Sequence, residues 1–468
     1  MSAITEMSVA ELGAAIKAKK LSPVEAVKAH YERIKRLNDK VNAYVLLTEE
    51  AALAEAKTAE AEIAKSGYRG PLHGIPIGQK DLIQTKGVSA TACSKVLADN
   101  VPTEDATVAA RWRAAGAIML GKLNTHEFAY GPTNDSSSFG PARNPWDTSC
   151  FSGGSSGGSG AAVALGMAAG ATGTDTGGSI RIPSACCGIT GLKPTYGRGP
   201  RTGIFPLCWT MDHPGPMARS AEDCALLAQP MYGRDPRDAA TADRPVPDYL
   251  QSAKAGIKGL RVGVPSNYFF TAATEEVERA VREAIKVLED LGVQVEEVDI
   301  PDIEHAATAA LLIYLAEGTA YHDDWLNEKS ALFTDQVRTF LEVGNYVLAK
   351  DYLNAQRYRT HLGNQVARLF ERVDVLATPT LPIPAQTIGQ PTMTVRGKEV
   401  SVFGSLIHNT EPFNLTGLPT LAAPCGFSAK GMPISLQITG RPFEEGRVLA
   451  VGHAFQGATD WHKKRPTL

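Results

Sequence analysis

Two serines and a lysine, each in a glycine-rich segment, are the residues of this sequence best suited to chemistry. Ser179 lies in the run Gly-Thr-Asp-Thr-Gly-Gly-Ser-Ile-Arg of residues 173–181, and Ser155 lies in the earlier run Gly-Gly-Ser-Ser-Gly-Gly-Ser-Gly. Lys80 ends the segment Gly-Ile-Pro-Ile-Gly-Gln-Lys, which indicates a short strand followed by a turn. These residue types are the parts of a hydrolase whose general base is a lysine rather than a histidine.

Catalysis by two serines and a lysine requires a particular environment for each of these side chains. A serine hydroxyl becomes a strong nucleophile only when a base takes its proton. A lysine can do this only when neutral, so its ordinary pKa of about 10.4 must be lowered by several units through burial. Ser155 can relay the proton from Ser179 to Lys80. Residues 176–179 supply four consecutive backbone N–H groups for the oxyanion of a tetrahedral intermediate, and their glycines permit close approach of a substrate.

The composition is that of an ordinary globular protein without a charge-driven partner. Of the 468 residues, 43% are hydrophobic and 21% are charged, and the net charge is −3. This balance gives no reason to expect a nucleic acid or a membrane as partner. The seven cysteines form no C-x-x-C pair, which argues against a disulfide framework and a zinc site. We therefore expect reduced thiols, a cytoplasmic location, no signal peptide, no metal and no cofactor.

The pattern of helices and strands along the chain predicts an α/β protein. A strand at 260–264, an amphipathic helix at 275–291 and a strand at 293–298 form a strand–helix–strand unit. The centre, residues 131–220, is rich in glycine, serine and proline. A small-residue helix predicted at 161–169 interrupts this composition, so we expect a rigid core of tight turns rather than a linker.

The three chemical motifs resemble the amidase signature family. The similarity continues through four further segments, which are residues 144–147, 188–195, 413–419 and 436–438. The resemblance implies an α/β fold in which a large mixed sheet of about eleven strands is surrounded by helices. It also implies one amidase domain over residues 1–468, with a signature core at roughly 70–220 and a helical and C-terminal pocket-forming part at roughly 260–468.

The resemblance also assigns roles to individual residues. It makes Ser179 the acylated nucleophile, Lys80 the base, and Ser155 the relay serine, which in the family follows a cis peptide bond. The other positions matched by the family are an oxyanion hole and substrate-binding set of Thr176, Gly177, Gly178 and Ala129, and a lysine-bonding pair of Ser156 and Thr174. For the substrate pocket we expect the segments 128–139 and 403–418, with apolar contacts from Tyr130 and Phe139.

The resulting prediction is a stand-alone, cofactor-free amidohydrolase with an acyl-enzyme on Ser179. Its predicted substrate is a small-molecule amide, with an aryl or hydrophobic amide, a carbamate or a urea favoured by the pocket. No protein partner is expected other than a second copy in a homodimer. An alternative is the amidase subunit of a glutamyl-tRNA amidotransferase complex, which Ser179–Arg181 and Tyr196–Arg198 resemble, although Tyr130 stands where that subunit typically has methionine. A second alternative is an α/β hydrolase with Ser156 as nucleophile, because Gly154–Gly158 satisfies G-x-S-x-G.

Overall fold

The computed structural model of the chain describes residues 2–65 and 67–468, and its central feature is one large mixed sheet. Eleven strands lie in that sheet, as expected, and two more form a separate hairpin. The strands are β1 Tyr44–Leu47, β2 Pro76–Lys80, β3 Ile118–Leu123, β4 Gly170–Asp175, β5 Thr190–Lys193, β6 His213–Ala218, β7 Arg261–Pro265, β8 Gln294–Val298, β9 Val375–Pro379, β10 Thr392–Val395, β11 Lys398–Ser401, β12 Thr420–Phe427 and β13 Pro433–Gly440.

The order of strands across the sheet is β1-β3-β2-β4-β6-β5-β12-β13-β9-β7-β8. β2 runs parallel to both β3 and β4, and β7 runs parallel to both β8 and β9, whereas the remaining pairs are antiparallel. Strands from the first and the last parts of the chain therefore share one hydrogen-bonded sheet.

Helices cover the sheet, and several of them begin where the sequence supplies a capping residue. Ser8 and Ser22 each complete a capping box with the glutamate three residues later. The helices are α1 Ser2–Glu6, α2 Val9–Lys17, α3 Pro23–Val41, α4 Glu49–Lys65, α5 Thr107–Ala114, α6 Gly157–Ala164, α7 Arg181–Cys187, α8 Ala221–Met231, α9 Tyr249–Ala253, α10 Glu275–Asp290, α11 Ala306–Lys329, α12 Asp335–Gly344, α13 Ala349–Arg372, α14 Val402–His408, α15 Glu411–Leu415 and α16 Glu445–Ala458. Short 3₁₀ turns lie at Lys95–Leu97, Glu127–Ala129, Ile303–His305, Ser330–Leu332 and Trp461–Lys463.

The predicted strand–helix–strand unit is confirmed as β7, α10 and β8, with the two strands parallel. One boundary differs from the predictions. The small-residue helix α6 begins at Gly157 and ends at Ala164, because the glycines before the alanines already adopt helical geometry within the core. Lys122 belongs to β3, and its buried ammonium donates to the Ile83 carbonyl and the Thr85 hydroxyl.

The arrangement of β2 and β4 positions the residues that the sequence singled out. These two strands are parallel neighbours, paired at Ile77 and Gly170, so their carboxyl ends lie at the same edge of the sheet. Lys80 is the last residue of β2, and Asp175 is the last residue of β4. α6 packs against both strands. The loop that precedes α6 therefore reaches the same edge.

Two further findings concern membrane-spanning helices and the cysteines. No helix among the described residues is long and apolar enough to cross a lipid bilayer. All seven cysteines are buried and free, in agreement with the expectation of reduced thiols.

Candidate active site

Lys80 is fully buried, and its side chain is held by two hydroxyl groups. Its Nζ donates hydrogen bonds to Ser155 Oγ at 2.7 Å and to Thr174 Oγ1 at 2.8 Å. Its backbone N–H donates to Thr172 Oγ1 at 2.8 Å, which ties the end of β2 to β4. The amine is thus directed along the edge of the sheet toward the loop that carries Ser155.

The surroundings of Lys80 favour the neutral amine. Burial lowers its pKa from an ordinary 10.5 to about 7, while the negative charges of Asp212 and Asp175 act in the opposite direction. Neither carboxylate makes a hydrogen bond to the amine; Asp212 is bound by Thr176 and Asp175 by Arg181. A substantial fraction of Lys80 is therefore unprotonated near neutral pH, as a general base requires.

Ser155 lies in a compact turn between Ser152 and α6. The peptide bond between Gly154 and Ser155 is cis. A Cβ atom at Gly154 would lie 2.6 Å from the Gly131 carbonyl oxygen, so only glycine fits there. The backbone N–H of Ser156 donates to the Ser179 carbonyl at 3.3 Å. This bond joins the two serine-bearing loops directly.

The loop after β4, residues 176–180, is anchored at both ends by a buried ion pair. The carboxylate of Asp175 accepts hydrogen bonds from Arg181 Nε at 3.0 Å and Nη2 at 2.9 Å, and from the backbone N–H of Ile180 at 3.2 Å. Burial alone would raise the pKa of Asp175, but Arg181 holds it well below its usual range. Asn414 also donates to this carboxylate, at 2.8 Å. The loop is therefore fixed to α7 and to the C-terminal part of the chain.

Within that loop the backbone presents hydrogen-bond donors. The N–H groups of residues 176–179 donate to no described residue. The carbonyl of Gly177, by contrast, is held by the Thr410 hydroxyl, and Gly178 has a φ of +130°, a conformation that favours glycine. Four adjacent free donors are well suited to stabilising an oxyanion.

Asp212 contributes to the site from the residue before β6, although no motif in its neighbourhood pointed to it. Its carboxylate accepts a hydrogen bond from Thr176 Oγ1 at 2.6 Å and from the backbone N–H groups of Leu207 and Cys208. Burial raises the pKa of Asp212 to about 6, against the effect of these donors. The Asp212 carboxylate is also the charge that most strongly opposes the lowering of the Lys80 pKa.

An apolar cavity opens beside Ser179 and the free N–H groups. Its wall comes from several parts of the chain, and the lining residues are Ala129, Tyr130, Gly131, Pro132, Thr176, Gly177, Ser179, Ile182, Leu207, Leu311, Tyr314, Leu315, Phe340, Phe403 and Ile407. No lysine, arginine, aspartate or glutamate is among these lining residues. The cavity is therefore suited to a hydrophobic substrate group.

The structure brings together most of the residues predicted for the site. Tyr130 and Ala129 line the cavity with Thr176, Gly177 and Ser179, and Gly178 lies in the same loop. Thr174 contacts Lys80 as expected.

Two predicted residues do not make the contacts expected of them. Phe139 is 45% exposed and is not among the lining residues, because its carbonyl is bound by Asn42 at the surface. Ser156 makes no hydrogen bond to Lys80, since its hydroxyl faces the backbone of Thr174 at 3.4 Å.

The alternative with Ser156 as a histidine-activated nucleophile finds no support in this geometry. The hydrogen-bond partner of the Ser156 hydroxyl is the Thr174 backbone, and the base beside this turn is Lys80. The His213 ring bonds to the Asp175 carbonyl at 3.0 Å. Among the described residues there is also no group of three His, Cys, Asp or Glu side chains that could hold a metal ion.

A comparison with protein families identifies the family to which the chain belongs. The family model described as Amidase matches residues 25–449. The chain belongs to the amidase family. An amidase acts on the C–N bonds of amides, and the predicted resemblance to the amidase signature enzymes is confirmed.

Individual relatives of this amidase cover its whole length. It is 42% identical to a glutamyl-tRNA(Gln) amidotransferase subunit of Roseiflexus sp. (strain RS-1), over 100% of this chain and 99% of that protein. It is 43% identical to an amidase of Pseudomonas putida over 100% and 99% of the two chains. A solved structure of a vestigial protein complex, which reveals the evolutionary origins of an s-triazine catabolic enzyme, matches with a TM-score of 0.93 and 35% identity over 96% and 98% of the two chains.

These relatives correct the prediction about partners. Besides the Roseiflexus protein, several further relatives are also named as a subunit of glutamyl-tRNA(Gln) amidotransferase. The prediction of no protein partner except a second copy of the chain is therefore wrong, because the catalytic motifs are shared by stand-alone amidases and by amidase subunits and do not distinguish the two. The relatives favour the alternative, an amidase subunit of a complex, over a stand-alone enzyme.

Proposed function

We propose that this amidase hydrolyses a C–N amide bond through an acyl-enzyme on Ser179, in the cytoplasm and as the amidase subunit of a protein complex. The observation that carries the proposal is the 2.7 Å hydrogen bond from the buried Lys80 amine to the Ser155 hydroxyl, beside the cavity that holds Ser179. We also propose that residues 1–468 act as one catalytic domain, since one eleven-stranded sheet joins strands from the first part of the chain, such as β1, with strands from the last part, such as β13.

The proposed reaction proceeds in two halves. The Ser179 oxygen attacks the carbonyl carbon while its proton passes through Ser155 to neutral Lys80. The resulting oxyanion takes hydrogen bonds from the N–H groups of residues 176–179. The proton then returns by the same route to the leaving nitrogen, the C–N bond breaks, and the acyl group remains on Ser179. Water, activated in the same way, attacks the ester, and the carboxylic acid leaves.

The assignment to a complex rests on the relatives and has its own test. The chain, tagged in its source organism and purified at low salt, should carry a second protein in stoichiometric amount. Removing that protein at high salt and adding it back should lower and then restore kcat/KM for amide hydrolysis. Full activity of the isolated chain, with no stoichiometric partner, would contradict the assignment.

The apolar cavity favours a second candidate function, which is hydrolysis of a hydrophobic amide. A zwitterionic amide such as glutamine carries two charges, and the cavity wall offers no charged side chain to pair with either one. We therefore expect ammonia release from an aryl or alkyl primary amide to exceed that from glutamine in kcat/KM. The opposite order, measured with and without the copurifying partner, would remove this candidate.

A further inference from the structure

One polar side chain in the cavity wall has no assignment in the proposed reaction. Four lining residues carry a hydroxyl group. The Tyr130 hydroxyl donates to the Tyr314 carbonyl at 2.8 Å, and the Thr176 hydroxyl donates to Asp212 at 2.6 Å. Ser179 is the proposed nucleophile. The phenol oxygen of Tyr314 is buried and makes no hydrogen bond to any described residue. Among the hydroxyl groups of this mostly apolar wall, the Tyr314 phenol therefore has neither a hydrogen-bond partner among the described residues nor a role in the proposed reaction.

The Tyr314 hydroxyl lies close to the place where the scissile carbonyl must sit. A Cβ atom built on Gly177 would meet Tyr314 Oη at 2.6 Å and Glu411 Cγ at 3.7 Å. Gly177 belongs to the loop of free N–H donors, so the phenol stands beside the proposed oxyanion site. A glycine at this position also leaves the space that the phenol and a substrate group must share.

Glu411 lies beside this phenol, which is the neighbouring group that acts on its carboxyl. Its side chain is 1% exposed, and neither carboxyl oxygen makes a hydrogen bond to a described residue. Burial raises the pKa of Glu411 well above its usual range, and the neighbouring Tyr314 hydroxyl acts in the opposite direction. In either protonation state the carboxyl keeps an oxygen that can accept the phenol proton. Thr410, the preceding residue, holds the Gly177 carbonyl, so the chain places this carboxyl beside the loop.

We propose that Tyr314 is a specificity-determining residue that accepts a hydrogen bond from a substrate N–H group next to the scissile carbonyl, and that Glu411 positions it. The Tyr314 proton turns toward the Glu411 carboxyl, which leaves the phenol oxygen to accept from the substrate. The preferred substrates are hydrophobic amides with an amino, amido or ureido N–H within two or three bonds of the carbonyl carbon. This inference rests on the proposed acyl-enzyme at Ser179 and specifies its substrate.

Two primary amides that differ in one group test the inference. N-phenylglycinamide carries an N–H where 3-phenylpropanamide carries a CH₂, and both have an aryl ring suited to the apolar cavity. Each is used in large excess to protect Ser179 against a fluorophosphonate, so that the protection constant reports occupancy of the site by the amide or its acyl group. The ratio of the two constants should favour N-phenylglycinamide by about tenfold, the effect of one buried hydrogen bond left unmade in the analogue.

Variants of Tyr314 and Glu411 distinguish a specific effect on substrate recognition from a general loss of folding. Tyr314→Phe should bring the ratio close to one. Glu411→Leu should lower it similarly, whereas Glu411→Gln should restore most of it, because the amide carbonyl still accepts the phenol proton. Tyr346→Phe, at a tyrosine that is 83% exposed, is the matched control and should keep the parent ratio.

An unchanged ratio in Tyr314→Phe would overturn the inference while leaving the proposed function intact, provided that Ser179 is still labelled. A parent ratio near one, or protection by neither amide, would also overturn it. Failure of the parent protein to be labelled at Ser179 would instead remove the proposed function, and the inference with it.

Discussion

The buried Lys80 amine donates a 2.7 Å hydrogen bond to the hydroxyl of Ser155, a residue 75 positions away in the chain. Two neighbouring strands and one helix create this contact. β2 delivers the lysine, β4 delivers Thr174 and the loop of Ser179, and the turn before α6 delivers Ser155. The amine has no carboxylate bonded to it, so burial controls its pKa.

Replacement of Lys80 by methionine should separate activity from stability. Without the base, kcat/KM should fall by about a thousandfold, within the range for general base catalysis. Because the folded pKa of about 7 lies below the unfolded value, the folded state binds fewer protons between these pH values, and the stability contributed by Lys80 rises with pH across that window.

The effect of Lys80→Met on stability should differ between pH 6 and pH 9. At pH 6 the full cost of the buried amine is present, so Lys80→Met should increase the free energy of unfolding by about 2–4 kcal/mol. At pH 9 the variant should gain almost no free energy of unfolding. Burying the Lys80 amine costs less at this pH, and the variant loses the hydrogen bonds of the amine to Ser155 and Thr174. Urea unfolding at both pH values measures this; a destabilised variant at pH 6 would contradict the account of the Lys80 pKa.

The pH dependence of the parent enzyme should show an acidic limb. As pH falls through the Lys80 pKa of about 7, the amine becomes protonated and can no longer accept the serine proton. We therefore expect log kcat/KM to rise with pH up to a midpoint near 7 and to level off above it. A profile that is flat from pH 5 to 9 would contradict a titrating lysine base.

Asp212 should influence the pH at which the acidic limb of the kcat/KM profile has its midpoint. Its carboxylate is the charge that most strongly raises the Lys80 pKa against burial. Asp212→Asn removes the charge and keeps an oxygen that can accept from Thr176, so the midpoint should move to lower pH by about half a unit to one unit. Asp238→Asn, which removes a carboxylate paired with Arg201 instead, is the control and should leave the midpoint unchanged. A shift to higher pH in Asp212→Asn would contradict the assignment.

The buried pair of Arg181 and Asp175 should dominate the stability of the loop that carries Ser179. Both side chains are fully buried, so Arg181→Met leaves the buried Asp175 carboxylate without its ion-pair partner and should cost about 3–5 kcal/mol in the free energy of unfolding. Arg234→Met, in an ion pair whose side chains are 60% and 81% exposed, should cost less than about 1 kcal/mol. Equal effects in chemical denaturation would contradict the importance of burial.

The sequence predicted those parts of the site that lie in local glycine-rich runs. Lys80, Ser155 and Ser179 are recognisable from residue type and neighbours, and the sheet follows from the family resemblance. Tyr314 could not be found in this way, because it lies in the ordinary helix α11, which the fold brings to the loop. Glu411 falls within the predicted pocket segment 403–418, but its position beside Tyr314 and Gly177 also depends on the fold. Asp212 was missed for a similar reason: its role depends on the fold placing it at Thr176.

The outcome of each pocket prediction depended on backbone contacts rather than on side-chain character. Tyr130 lines the cavity, where its hydroxyl is bound by the backbone of α11. Phe139, equally apolar, is kept at the surface by the contact of its carbonyl with Asn42. Neither contact is encoded near the residue in sequence.

The most direct test of the central claim is intact-protein mass spectrometry after treatment with a fluorophosphonate that bears a hydrophobic tail. The account predicts one adduct, mapped to Ser179, that is absent from Ser179→Ala and forms at least about a hundredfold more slowly in Lys80→Met. An adduct on Ser156, or equally fast labelling of Lys80→Met, would contradict it.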